Sequence, residues 1–146
     1  MEDNGYDSER LEAQAHALLD EATEIASSFA GFEWGKSTYW HGTEGRKIVG
    51  DRQRVLLNRA RVVHGQALDL AGQCEMKIAE HRQALEREHF TFEVEPGADR
   101  LSNLMIESFE LRCAERALAI SHGAAVKANC VVQFVDGAEK GGRRWD

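Results

Sequence analysis

Three groupings of residues in this 146-residue chain have types and spacings that could do chemistry. Ala30-Gly31-Phe32-Glu33-Trp34-Gly35-Lys36-Ser37-Thr38 ends like a phosphate-binding loop. In such a loop backbone N–H groups wrap the phosphates, Lys36 would reach the β- and γ-phosphates, and Ser37 would hold magnesium. Acids spaced i, i+3 stand at Glu21/Glu24 and Glu107/Glu110, a spacing that can offer two carboxylates to one cation. Glu86-Arg87-Glu88-His89 has the Glu-x-x-His spacing of di-iron helical bundles.

Each grouping needs elements to position it, and the predicted elements argue against all three. A phosphate loop follows a buried strand and opens a helix. This one follows a helical pattern, runs into Tyr39-Trp40-His41-Gly42, and carries bulky Phe32 and Trp34 where thin backbone is needed. A di-iron site needs a second Glu-x-x-His and two further Glu, and no second pair is present. Leu18-Leu19-Asp20-Glu21-Ala22-Thr23-Glu24-Ile25-Ala26 resembles the first carboxylate motif of the all-α nucleotide pyrophosphohydrolases. That resemblance implies a magnesium-dependent nucleotide hydrolase as an alternative function, but the family's second Glu-x-x-Asp motif is absent. At 100° per residue, Glu24 falls about 120° from the seam through Leu18 and Ile25, and Glu107 about 160° from Phe109. Both pairs of acids are therefore expected to face solvent. His64 and His122 are isolated, and His81 lies near an apolar seam with no matching ligand set. No catalytic residue, metal ligand or cofactor site is assigned.

Apolar spacing supplies the scaffold. Leu11, Ala15, Leu18, Ala22, Ile25 and Phe29 recur at alternating intervals of four and three, an amphipathic helix beginning near Ser8. Leu56, Ala60, Val63, Ala67, Leu70, Cys74, Ile78 and Leu85 predict a long middle helix over about 51–88, with Gly65 and Gly72 as possible bends. A third helix is expected from Arg100 to about His122, capped by Asp99, with a core stripe of Leu101, Met105, Phe109, Cys113, Ala117, Ile120 and Ala124. Residues 90–95 alternate apolar and polar before Pro96-Gly97, and 130–135 are β-prone, so one or two short strands are expected there. The resulting picture is mainly α: a single domain over 1–146, an antiparallel three-helix bundle with a long middle helix. It has an aromatic, glycine-rich loop over 30–50 and a frayed basic tail over 137–146.

Composition narrows the function. With 42% hydrophobic and 29% charged residues the chain can build a core, and no apolar run approaches the ~20 residues of a membrane span. The acidic N-terminus lacks the basic-then-apolar pattern of a secretory signal, and Cys74, Cys113 and Cys130 form no CxxC pair. The expectation is a cytoplasmic protein with reduced thiols. Residues 1–30 hold eight acids against Arg10 alone, whereas the rest of the chain is balanced. A basic segment follows, containing Arg52, Arg54, Arg59 and Arg61. Side by side the two would neutralise each other; apart, the basic segment could bind phosphate or nucleic acid, which the overall charge of −7 disfavours. Phe29, Phe32, Trp34, Tyr39 and Trp40 concentrate aromatic side chains in one short stretch, as a cap on the bundle or as contact residues. The leading expectation is a non-enzymatic protein–protein interaction module, an inhibitor, adaptor or assembly component. Its partner-binding residues would be Phe32, Trp34, Tyr39 and Trp40, with Asp20, Glu21 and Glu24 of the acidic helix. The overlong middle helix adds the expectation of a homodimer.

Overall fold

The computed structural model describes residues 7–30 and 42–142, with side chains at 7–29, 52 and 54–134. Helix α1 spans Asp7–Ala30, α2 Gly42–Val94 and α3 Ala98–Gly142. The three pack on one another: α1 meets α2 through Glu21 and Arg59, α1 meets α3 through Thr23 and Lys127, and α2 meets α3 through His81 and Glu107. No strand occurs among the described residues.

Two of the predicted seams are the buried ones. In α1, Leu11, Ala15, Ala22 and Ile25 are buried, with Leu18 and Phe29 partly so. In α2, every residue of the predicted stripe from Leu56 to Ile78 is buried, and Leu85 is half-buried. Helix α2 runs unbroken through Gly65 and Gly72. Both glycines are exposed, and a Cβ built on either would meet nothing within 4 Å. They mark neither a break nor a close crossing. Close approach is allowed instead by the alanines of the seam.

Four expectations need correction. Residues 90–94 are the last turns of α2, and 130–135 lie inside α3. A single strand leaves its backbone groups unpaired, whereas a helix satisfies them locally, so the alternation of Phe90, Phe92 and Val94 did not decide the conformation. Residues 42–50, expected within the loop, form the first turns of α2 despite Gly42, Gly45 and Gly50. Helix α3 extends to Gly142, far past His122 and into the expected tail. Its core stripe is also rotated at the start: Leu101, Met105 and Phe109 are 47%, 64% and 43% exposed, while Glu110 is 1% exposed.

The α2–α3 connection follows from its residues. The Glu95 N–H donates to the Thr91 carbonyl at 2.8 Å, the last contact before Pro96, which has no N–H to continue the ladder. The Leu101 N–H then donates to the Gly97 carbonyl at 2.9 Å, closing the first turn of α3. Asp99 stands inside that turn rather than capping it, where its carboxylate faces the positive end of the helix dipole and is favourable.

The chain divides into two compact units, each drawing on all three helices. Leu18–Ala67 with Gly123–Asp146 forms one. Its core is Ala22, Ile25, Leu56, Leu57, Ala60, Val63, Ala67, Ala124, Ala125, Ala128 and Val131, joined by Phe29, whose ring meets Phe134 edge-on at 4.9 Å. Met1–Ala17 with Leu68–His122 forms the other. Its core mixes Leu11, Ala15, Leu70, Ala71, Cys74, Ile78, Cys113, Ala114 and Ala117 with three buried polar residues, Ser8, Glu110 and Ser121.

Candidate functional site

Of the sequence-predicted contact residues, Phe32, Trp34, Tyr39 and Trp40 lie outside the described residues. Asp20, Glu21 and Glu24 are exposed on α1. Arg59 reaches both paired acids, 3.6 Å from Glu21 and 3.8 Å from Glu24. This part of the acidic helix lies against the basic segment, and one guanidinium is shared by the two carboxylates and offsets one of their two charges.

The second pair behaves differently. Glu107 and Glu110, expected to face water, both turn toward His81 in the polar core of the unit that contains Ser8. His81 Nδ1 lies 2.8 Å from Glu107 Oε1, and Nε2 lies 3.2 Å from the Ser8 hydroxyl and 3.9 Å from Glu110 Oε1. The Ser8 backbone N–H donates to the same Glu110 oxygen at 3.2 Å. That N–H belongs to the first turn of α1, where the helix itself provides no acceptor, and a carboxylate beside it also complements the positive end of the helix dipole. Glu110 thus serves as a long-range cap on α1. Its other oxygen, Oε2, is buried without a hydrogen-bond partner among the described residues.

The order Ser8–His81–Glu107 is that of a nucleophile, a base and the carboxylate orienting it. With Nδ1–H donating to Glu107, a neutral ring leaves Nε2 to accept the Ser8 proton. Ser8, however, is fully buried and lines none of the three hollows described for this unit. The buried hydroxyl ties α1 to α2 through His81 and does not open to these hollows. Nor do the carboxylates converge on a cation: Glu107 and Glu110 meet different nitrogens of the ring, and no group of three candidate metal ligands forms among the described residues.

Around this cluster the charges are paired. Glu12 takes a two-point contact from Arg116, at 2.8 and 3.2 Å, and the guanidinium holds its carboxyl below the usual 4.5. Lys77 lies 3.6 Å from Asp7 and 3.4 Å from Glu80. Those three residues and Arg10 border a hollow of about 360 Å³, whose charges are satisfied internally. Burial pushes the thiols of Cys74 and Cys113 above their ordinary 9.0, as expected of small core residues, whereas Cys130 is exposed.

Beyond His81 and Glu110 the same unit changes character. No residue from Ala79 to Phe109 is buried, through the last turns of α2 and the first of α3. Phe90, Val94, Leu101, Met105, Ile106 and Phe109 are all exposed there. A groove of about 360 Å³ has an apolar floor of Leu85, Leu104, Met105 and Phe109, with Ser108, His89 and Arg112 at its edge. The stripe Leu101–Met105–Phe109 continues at the same spacing into Cys113 and Ala117, which are fully buried. Sequence reasoning found the stripe but placed all of it in the core. The missing signal was where α1 stops covering it. No family model matches the chain, and neither a curated protein nor a solved structure matches it.

Proposed function

We propose that this chain is a protein–protein interaction module that docks its partner on the tip of the α2–α3 hairpin, residues 79–109. One observation carries the reading: no side chain of the tip is buried, although it carries six large exposed hydrophobics. Helices in water draw most of their stability from a buried apolar face. A two-helix arm without one gains its packing when a partner covers it, and contiguous exposed apolar surface is the usual mark of such a site. The up-down-up order of helices that we infer for the bundle suits this use, since a short Pro96-Gly97 connection then presents both apolar faces at one end. Its support is that Ser8 with Glu110 and Glu12 with Arg116 advance together along α1 and α3, whereas Glu95 with Arg100 and His81 with Glu107 run in opposite directions along the α2–α3 hairpin. The sequence-based candidates at Phe32, Trp34, Tyr39 and Trp40 remain compatible as additional contacts.

The test is site-specific photocrosslinking in cells of the native host. A crosslinker at Met105 or Phe90 should give discrete adducts, and one at Gln66 or Gln133, which are also exposed, should not. Absence of any adduct at the tip, or equal adducts at all four positions, would overturn the reading.

A further inference from the structure

Resting on that reading of the tip, we infer that its partner is a second copy of this chain, paired two-fold so that α2 of each copy lies on α3 of the other. The observation is that one hairpin carries both halves of a complementary contact. On α3, Met105, Phe109 and Arg112 follow i, i+4, i+7 spacing and share a face along the groove. On α2, Glu86, Phe90 and Glu93 have the same spacing, with Val94 beside them. Each face centres on an exposed phenylalanine, 43% exposed at Phe109 and 67% at Phe90. The flanking charges are opposite: Arg112 on α3, Glu86 and Glu93 on α2. All three charged residues are exposed, and none takes part in an ion pair among the described residues.

The two faces adjoin. Leu85 and His89, the α2 residues of the groove, lie within about 100° of Glu86 and Glu93 around the helix. A two-fold operation therefore sets Phe90 of each copy toward the other's Met105–Phe109 floor and closes the interface, since an isologous contact uses the same patch twice. The result is a four-helix arrangement at the tip, in which two incomplete hairpins supply each other's core. Area agrees with this. The six exposed hydrophobics present on the order of 600 Å² per copy, close to the roughly 800 Å² per side of a standard stable interface once flanking polar groups are added. A partner with a face of one sign would leave either Arg112 or the two glutamates opposite like charge, whereas a second copy satisfies both.

Sedimentation equilibrium of the purified full chain at micromolar concentration should give twice 16.3 kDa. Met105→Glu and Phe90→Glu, each on the exposed tip, should give monomers with unchanged helical circular dichroism. Arg112→Glu should weaken dimerisation at least tenfold, and adding Glu86→Arg and Glu93→Arg to it should restore much of the loss by reversing the charge pairs. That rescue separates a specific contact from general loss of fold. A monomer at every concentration, a dimer indifferent to Met105→Glu and Phe90→Glu, or an absence of rescue would overturn the inference. A monomer whose Met105 crosslinks to a different protein would overturn the dimer while leaving the tip as a docking surface. A monomer with no tip crosslink would overturn both.

Discussion

The two compact units fill the space between their helices by different means. In the unit built on Ile25, Val63 and Val131, the core is apolar, with six alanines letting the helices come close. In the unit built on Ser8, His81 and Glu110, helices are joined by directional polar contacts, and an apolar stripe runs out from the core onto open surface. An apolar core tolerates small shifts of one helix along another, because burial is non-directional. A polar cluster permits only registers in which each donor meets its acceptor, and charges a penalty for the rest. Ser8 and Glu110 therefore act as a registration point for α1, close to where the exposed tip begins.

The largest expected effect sharpens the apolar side of that contrast. Ile25→Ala removes a fully buried side chain and should cost about 2–5 kcal/mol in urea denaturation, depending on how far the neighbouring helices close the cavity. A cost below about 1 kcal/mol would show that this core is loosely packed and the contrast overdrawn.

A somewhat smaller loss is expected from the polar side. Glu110→Ala deprives the Ser8 N–H of its acceptor and His81 of one carboxylate, with an expected cost of about 1–3 kcal/mol. Glu110→Gln keeps an acceptor oxygen for Ser8 and should cost less than the alanine variant. If Glu110→Ala were neutral or stabilising, the cluster would have no part in holding α1, and the proposed registration role would fail.

The smallest effect lies at the surface pair of the same unit. Arg116 holds the Glu12 carboxyl below 4.5, so the folded state binds a proton less readily there than the unfolded chain. The pair's contribution is present above pH 4.5 and is lost as pH falls through the lowered folded value. At neutral pH, Glu12→Gln should cost only about 0.2–1 kcal/mol, the range for solvent-screened pairs. The difference from wild type should shrink between about pH 5 and pH 2, measured by urea denaturation across that interval. A difference that instead grew in acid would mean Glu12 is held by something other than the guanidinium.

How much of this was legible depends on the range of the interaction. The seams of α1 and α2 could be read because 3-4 spacing of apolar residues is a local property of any buried helix face. The stripe of α3 was legible as a stripe, but its first half proved to be surface. Leu101, Met105 and Phe109 are as apolar as Cys113 and Ala117; the difference is whether another helix lies over them. Glu110 was misjudged for a related reason: its donor at Ser8 stands 102 residues away, a separation that no local pattern encodes. Alternation over residues 90–95 predicted a strand, yet helix α2 continues through Val94, where a helix satisfies the backbone groups locally whatever the period of the side chains.

What the sequence by itself determined was a mainly helical chain with two correctly phased helices, the first of them acidic. Periodicity and charge are carried by neighbours three and four residues apart, and those survive in any arrangement of the helices. Tertiary structure alone decided which carboxylate was buried, where α1 ceased to cover α3, and that the Met105–Phe109–Arg112 face would stand beside Glu86–Phe90–Glu93. Those outcomes depend on where one helix ends along another, and burial of a charged or apolar side chain is a property of that alignment rather than of its own sequence neighbourhood.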